Sequence, residues 1–221
     1  MSRRVLVLRP EPGASETLQR GRQLGLDTVA IPLFHIEPVE WQVPEPGGFD
    51  GLLLTSANGV RCAGEGLQSL RGLKAYAVGE ATAAAAREAG LDIASTGEAS
   101  VARLLGSIEP DLRLLHLCGE ERAEAPDARQ RITALPVYRA VPADADLSRA
   151  AGAVALIHSP RAGRRFAELV GNRSSIAIAA ISQAAADAAG DGWERVEAAD
   201  NPTDEALLAL AARLCNIPAP Q

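Results

Sequence analysis

Two short stretches of the chain combine residue types that can hold an anion. One is TSANG at 55–59, which follows the apolar run LLL at 52–54; the other is HSPRAG at 158–163, which follows ALI at 155–157. In an open parallel sheet, ligands sit beyond the carboxyl ends of the strands, where the next helices begin. Unpaired N–H groups at such a start favour anions, each end contributing about 0.3–1 kcal/mol when exposed. Short hydroxyl and amide side chains leave those donors accessible, and Gly59 and Gly163 would permit close approach. Ser56 and Ser159 could equally be plain helix caps. Two equivalent junctions shift the balance towards binding. Arginines recur near these ends at Arg9, Arg61, Arg122, Arg139, Arg161 and Arg164. Each alone reads as a solvated charge; together they could frame an anion-rich cleft.

Other chemistries lack their signatures. His35, His116 and His158 have no metal-ligand spacing. Cys62, Cys118 and Cys215 lack C-x-x-C spacing, so neither a zinc site nor a disulfide framework is expected. A sugar-phosphate enzyme using the same helix ends is weakened by the absence of a G-x-G-x-x-G or G-x-x-x-x-G-K-[ST] loop. The net charge of −6 argues against nucleic acid as a partner. No segment approaches the roughly 20 apolar residues that span a bilayer. The apolar run in MSRRVLVLRP is too short for a signal peptide. A cytoplasmic protein is the expectation.

The elements that must position the two stretches occur nearly twice. Ser56 and Ser159 lie 103 positions apart, and the same offset aligns Gly79 with Ser182 and Ser100 with Thr203. A fourth pair, IPLFHIEPV at 31–39 and LPVYRAVP at 135–142, aligns at 104. Continuous apolar runs of strand length (RVLVL, DGLLLT, KAYAV, LRLLHL, AVALIH, SIAIAAI) alternate with helical stretches, the pattern of strands covered on both faces. With aromatics only 3% of the chain, the core must be Ala, Val, Leu and Ile. In SETLQRGRQLG, Ser15 is the expected cap, Leu18 and Leu24 the buried face and Gly25 the left-handed stop. EATAAAAREAG ends on Gly90. The last helix has Thr203 as cap and Leu207, Leu208, Ala211 and Leu214 at helical spacing.

The expected fold is α/β: two doubly wound parallel-sheet domains, one discontinuous, joined by a two-stranded antiparallel ribbon. The outer domain comprises 1–33 plus 143–221, the inserted domain 40–134, and the ribbon 34–39 and 135–142. Prolines at both ends of each ribbon segment suit an exposed strand.

The distinctive pieces VLVLRPEPGA, DGLLLTSANGVR, AYAVGEATAAAAREAGLD, LPVYRA, ALIHSPRAGRRF and NPTDEAL, in this order over essentially the whole chain, resemble the uroporphyrinogen-III synthase family. The resemblance implies an enzyme of tetrapyrrole biosynthesis that closes linear hydroxymethylbilane while inverting its last pyrrole ring. It implies two α/β domains and a substrate with eight carboxylates held between them, largely by backbone N–H groups. Carried over by position, the binding set is Arg9, Thr55, Ser56, Asn58, Gly59, Gly79, Thr82, Ser159, Arg161 and Ala162. Tyr138, in the ribbon, is the candidate general acid. The family implies no cofactor, no metal and a monomer; hydroxymethylbilane synthase, the preceding enzyme, is the macromolecular partner it allows. Ser182 and Ala185 stand where the family has a glycine and a threonine. The stretch ahead of LPVY is short and contains Pro126. These departures are what a non-catalytic clamp for a tetrapyrrole or other polyanion would draw on.

Overall fold

In a computed structural model of the protein, residues 3–97, 100–122 and 127–216 are described; Pro126 lies outside them. The first half of the chain forms β1 (Val5–Val7), α1 (Gly13–Gln23), β2 (Thr28–Ala30), β3 (Phe34–Pro38), β4 (Gly51–Leu54), α2 (Ala57–Cys62), β5 (Lys74–Val78), α3 (Glu80–Glu88), β6 (Asp92–Gly97) and α4 (Val101–Ser107). There follow β7 (Arg113–Gly119), β8 (Arg131–Pro142), β9 (Val154–Ile157), α5 (Pro160–Leu169), β10 (Ala177–Ala180), α6 (Gln183–Ala189), β11 (Arg195–Ala198) and α7 (Asp204–Cys215). Two units result: Met1–His35 with Pro142–Gln221, and Ile36–Val141.

In the first unit five strands lie in the order β11-β10-β9-β1-β2, with every pairing parallel. Val5, Val7, Val154, Leu156, Ala177 and Ala179 pack on Leu207, Leu208, Ala211 and Leu214 of α7. Alternate strand residues such as Leu6, Ala155 and Ile178 are fully buried as well. A sheet covered on both faces needs such runs, which is why these strands do not alternate with polar residues. Truncating one of these leucines to alanine would cost roughly 2–5 kcal/mol.

In the second unit the order is β3-β8-β7-β4-β5-β6. Leu52, Leu54, Leu115 and Leu117 face one core, with Leu67, Leu70 and Val137; Leu53 and Leu114 face another, with Leu104 and Leu105. β8 is long because it serves two neighbours. Its first half pairs in parallel with β7, and its second half carries β3. The amide of Val39 donates to Val137 O and that of Ala143 to Leu33 O, so β3 and β8 run antiparallel.

The two sheets share one spatial plan. β4, β5 and β6 occupy the places of β9, β10 and β11, while β7 and β8 occupy those that β1 and β2 fill. By strand register Phe34 then corresponds to Tyr138, which explains the IPLF and LPVY repeat.

Two local expectations are corrected. Ser15 does not cap α1: the helix begins at Gly13, and the Glu11 carboxylate accepts from the Ser15 amide and hydroxyl, each at 3.0 Å. Leu24 is 58% exposed just past the helix end, so Leu18 alone reaches the core. Gly25 and Gly90 do take left-handed backbone, with φ of 74° and 82°.

Candidate active site

A sheet of this kind has one place where successive connections leave in opposite directions, and ligands collect at the strand ends there. In the second unit that place lies between β4 and β7; in the first it lies between β1 and β9. Thr55, Ser56, Asn58 and Gly59 belong to the former, Arg9, Ser159, Arg161 and Ala162 to the latter.

At the β4/β7 junction Ser56 caps α2, its hydroxyl accepting from the Asn58 amide at 3.2 Å. Thr55 Oγ1 lies 2.9 Å from His116 Nε2 on the neighbouring strand. Burial pushes the His116 imidazole down to about 4, with the charge of Arg122 acting in the same direction. At neutral pH the ring is therefore uncharged. On β8 a register shift between Cys118 and Gly119 brings Tyr138 opposite Gly119. The Tyr138 ring crosses that glycine, and its hydroxyl comes near Ser56. Burial raises the phenol above its ordinary value, and the nearby Ser56 hydroxyl offsets only part of the rise. Tyr138 remains protonated, as a proton donor must.

At the β1/β9 junction Ser159 caps α5, accepting from the Ala162 amide at 3.2 Å. The Arg161 guanidinium lies 4.3 Å from the centroid of the Phe34 ring, a cation–π contact that restrains a long side chain. Beneath them is a buried polar cluster. Asp204, the first residue of α7, accepts from Thr17 Oγ1 at 2.9 Å and from Arg20 Nη1 at 2.8 Å. His158 Nε2 lies 3.0 Å from the same carboxylate. Burial pushes Asp204 up, but the bonds from His158, Arg20 and Thr17 prevail, holding it well below the usual carboxylate range. Burial likewise drives His158 down, against the pull of Asp204.

The glycines have a different use from the one expected. A Cβ at Gly59 would meet Leu117 O at 2.6 Å, and one at Gly163 would meet Ala185 O at 2.9 Å. Both spaces are filled by neighbouring backbone rather than kept for a ligand. The backbone donors shift in the same way. The amides of Asn58, Gly59, Gly79, Thr82 and Ala162 are each engaged within the protein. Among the described residues, those of Ala57, Glu80, Ala81, Gln183 and Ala184 have no partner. These are the first amides of α2, α3 and α6, the ones a helix leaves unbonded. The Thr82 side chain is buried in α3, whereas Thr55, Ser56, Asn58, Gly79, Ser159 and Arg161 are partly exposed.

Ser182 takes extended backbone where its counterpart Gly79 has φ of 80°. The serine caps α6 through Ala185, which replaces one way of starting a helix with another. Sequence reasoning missed His116 as the partner of Thr55, and missed the Asp204 cluster altogether. Thr17 and Asp204 are 187 positions apart, and no local spacing signals their meeting. Among the described residues, no group of His, Cys, Asp and Glu could hold a metal, and no helix is long and apolar enough to cross a membrane.

The uroporphyrinogen-III synthase (HemD) family profile matches residues 15–209. The fold is similar to that of uroporphyrinogen-III synthetase from Helicobacter pylori, with a TM-score of 0.68 at 19% identity over 97% of this chain and 100% of that one. It is also similar to a mutant uroporphyrinogen III synthase from Thermus thermophilus, with a TM-score of 0.58 at 19% identity over 96% and 98%. No curated protein sequence matches the chain.

Proposed function

The chain belongs to the uroporphyrinogen-III synthase family, and from that premise we propose that it converts hydroxymethylbilane to uroporphyrinogen III with inversion of the last ring, without a cofactor. The family match over most of the chain carries this reading. In it, the bilane loses its terminal hydroxyl as water, leaving an electrophilic azafulvene. The substituted carbon of the last pyrrole attacks, and the spiro intermediate breaks one bond and recloses with that ring reversed. Unaided, the same precursor closes to the type I isomer, so the protein's task is restraint and proton delivery.

The geometry supports those roles residue by residue. Arg9, Arg161 and the open amides of α2, α3 and α6 supply donors for substrate carboxylates. Thr55, Ser56, Asn58 and Gly79 lie at strand ends of the second unit, with Gly59 and Thr82 as their scaffold, and Ser159 lies at the β9 end of the first, with Ala162 as its scaffold. Tyr138 is the general acid, a phenol kept protonated by burial and lying near Ser56. The protein acts as a cytoplasmic monomer in this reading, receiving its substrate from hydroxymethylbilane synthase.

The test is isomer-resolved product analysis of purified protein with hydroxymethylbilane and a chelator. Uroporphyrinogen III should dominate at saturating enzyme. Type I product alone would overturn the synthase reading.

A further inference from the structure

Arg9 leaves β1 and lies across the start of α1. A Cβ built on Gly13 would fall 2.5, 2.6 and 2.7 Å from Arg9 Nε, Cζ and Nη2, so residue 13 is shaped to the guanidinium. One turn further on, Arg9 Nη1 donates to Thr17 Oγ1 at 3.4 Å, and Thr17 Oγ1 in turn donates to Asp204 Oδ1 at 2.9 Å. Arg9 Nη1 is also 3.8 Å from that carboxylate oxygen. Thr17 is fully buried and Asp204 is 9% exposed, so the relay is held among close-packed neighbours. The Arg9 side chain itself is 33% exposed.

We propose that Gly13, Thr17 and Asp204 form a cradle that positions Arg9 for a substrate carboxylate, with Asp204 and Gly13 as positioning residues. The inference rests on the substrate-binding role of Arg9 given above. A buried acid next to a recognition arginine serves two ends. It fixes the fork in one orientation before substrate arrives, so less side-chain freedom is lost on binding. Because Arg20 and His158 share the same carboxylate, Asp204 offers Arg9 only an ion pair and a relayed hydrogen bond. A bidentate carboxylate ligand can displace that arrangement.

Gly13→Ala tests the cradle without removing any polar group. The added methyl meets the flexible end of Arg9, which can swing aside, and alanine favours the helix. Kinetics with hydroxymethylbilane should show KM raised about three- to tenfold with kcat within about twofold, and an unchanged or higher melting temperature. Asp204→Asn, which keeps an acceptor for Thr17 but removes the charge, should raise KM similarly. In an Arg9→Ala background, Gly13→Ala should add nothing, since nothing remains to displace. If Arg9→Ala raises KM and Gly13→Ala does not, or if the two effects add in full, the cradle is wrong. If Arg9→Ala leaves KM unchanged, the substrate role of Arg9 is wrong and the cradle falls with it.

Discussion

The ring of Tyr138 lies so close over Gly119 that a Cβ at residue 119 would come within 2.9 Å of two ring carbons and 3.2 Å of the hydroxyl. A tyrosine on β8 thereby reaches across β7 to Ser56, at the end of β4. Gly119→Ala would lift the ring from this path. Overpacking of this kind costs roughly 1–3 kcal/mol. The variant should melt lower and form a larger share of type I product; a wild-type isomer ratio would show that the ring's seat is irrelevant to catalysis.

Tyr138→Phe separates the hydroxyl from the ring. General acid help is typically worth about 10²–10⁴-fold, but a hydroxyl on a pyrrolic carbon leaves easily, so a loss of roughly tenfold to a hundredfold in rate is expected. Type I product should rise as unaided closure competes. Stability should change by less than about 1.5 kcal/mol, the range of one neutral hydrogen bond. Full activity at an unaltered isomer ratio would leave Tyr138 a packing residue.

His116 makes stability depend on pH. Its folded-state value of about 4 lies below the ordinary 6.5, so between these values the unfolded chain binds more protons than the folded one. The neutral ring is fully accommodated above pH 6.5, and stability drains away as pH falls towards 4, by on the order of 3 kcal/mol. Urea titrations across this window should show the slope, and His116→Gln, which can still meet Thr55, should reduce it. His158, also pushed down by burial, keeps the slope above zero in that variant. An unchanged slope would mean that His116 does not stay neutral in the fold.

Phe34→Leu removes the surface on which Arg161 rests. A cation–π contact is worth about 0.5–2 kcal/mol, depending on its exposure. KM for the bilane should rise about two- to fivefold, in line with the lower half of that range. Phe34 is also 6% exposed, so a stability loss of roughly 1 kcal/mol should accompany the change. An unaltered KM with lowered stability would assign the ring to the core alone.

The central strands were legible because a sheet buried on both faces writes itself as LLL or ALI. β2, β6 and β11 were not, since their half-exposed residues form no such run. Caps at Ser56, Ser159 and Thr203 were legible from residue type and position, and all three do accept helix amides. Ser15 looked the same and failed because Glu11 supplied a carboxylate first. The Tyr138–Ser56 contact depends on a one-residue register shift, which no periodicity records. The Arg9 cradle depends on α7 packing against α1 from the far end of the chain.

That last circumstance bears on how the protein is born. The central pairing of the first sheet joins Val5, Leu6 and Val7 to Val154, Ala155 and Leu156, whereas every strand from β4 to β8 comes from one continuous stretch. A ribosome adding about 5–20 residues per second leaves β1 without β9 for roughly 7–30 s. During that interval Ile36–Val141 can complete its own sheet, while Val5, Leu6 and Val7 have only β2 beside them and one edge open. The nested unit is thus the natural first product of synthesis, and the apolar amino-terminal strand is the segment with most to gain from a chaperone.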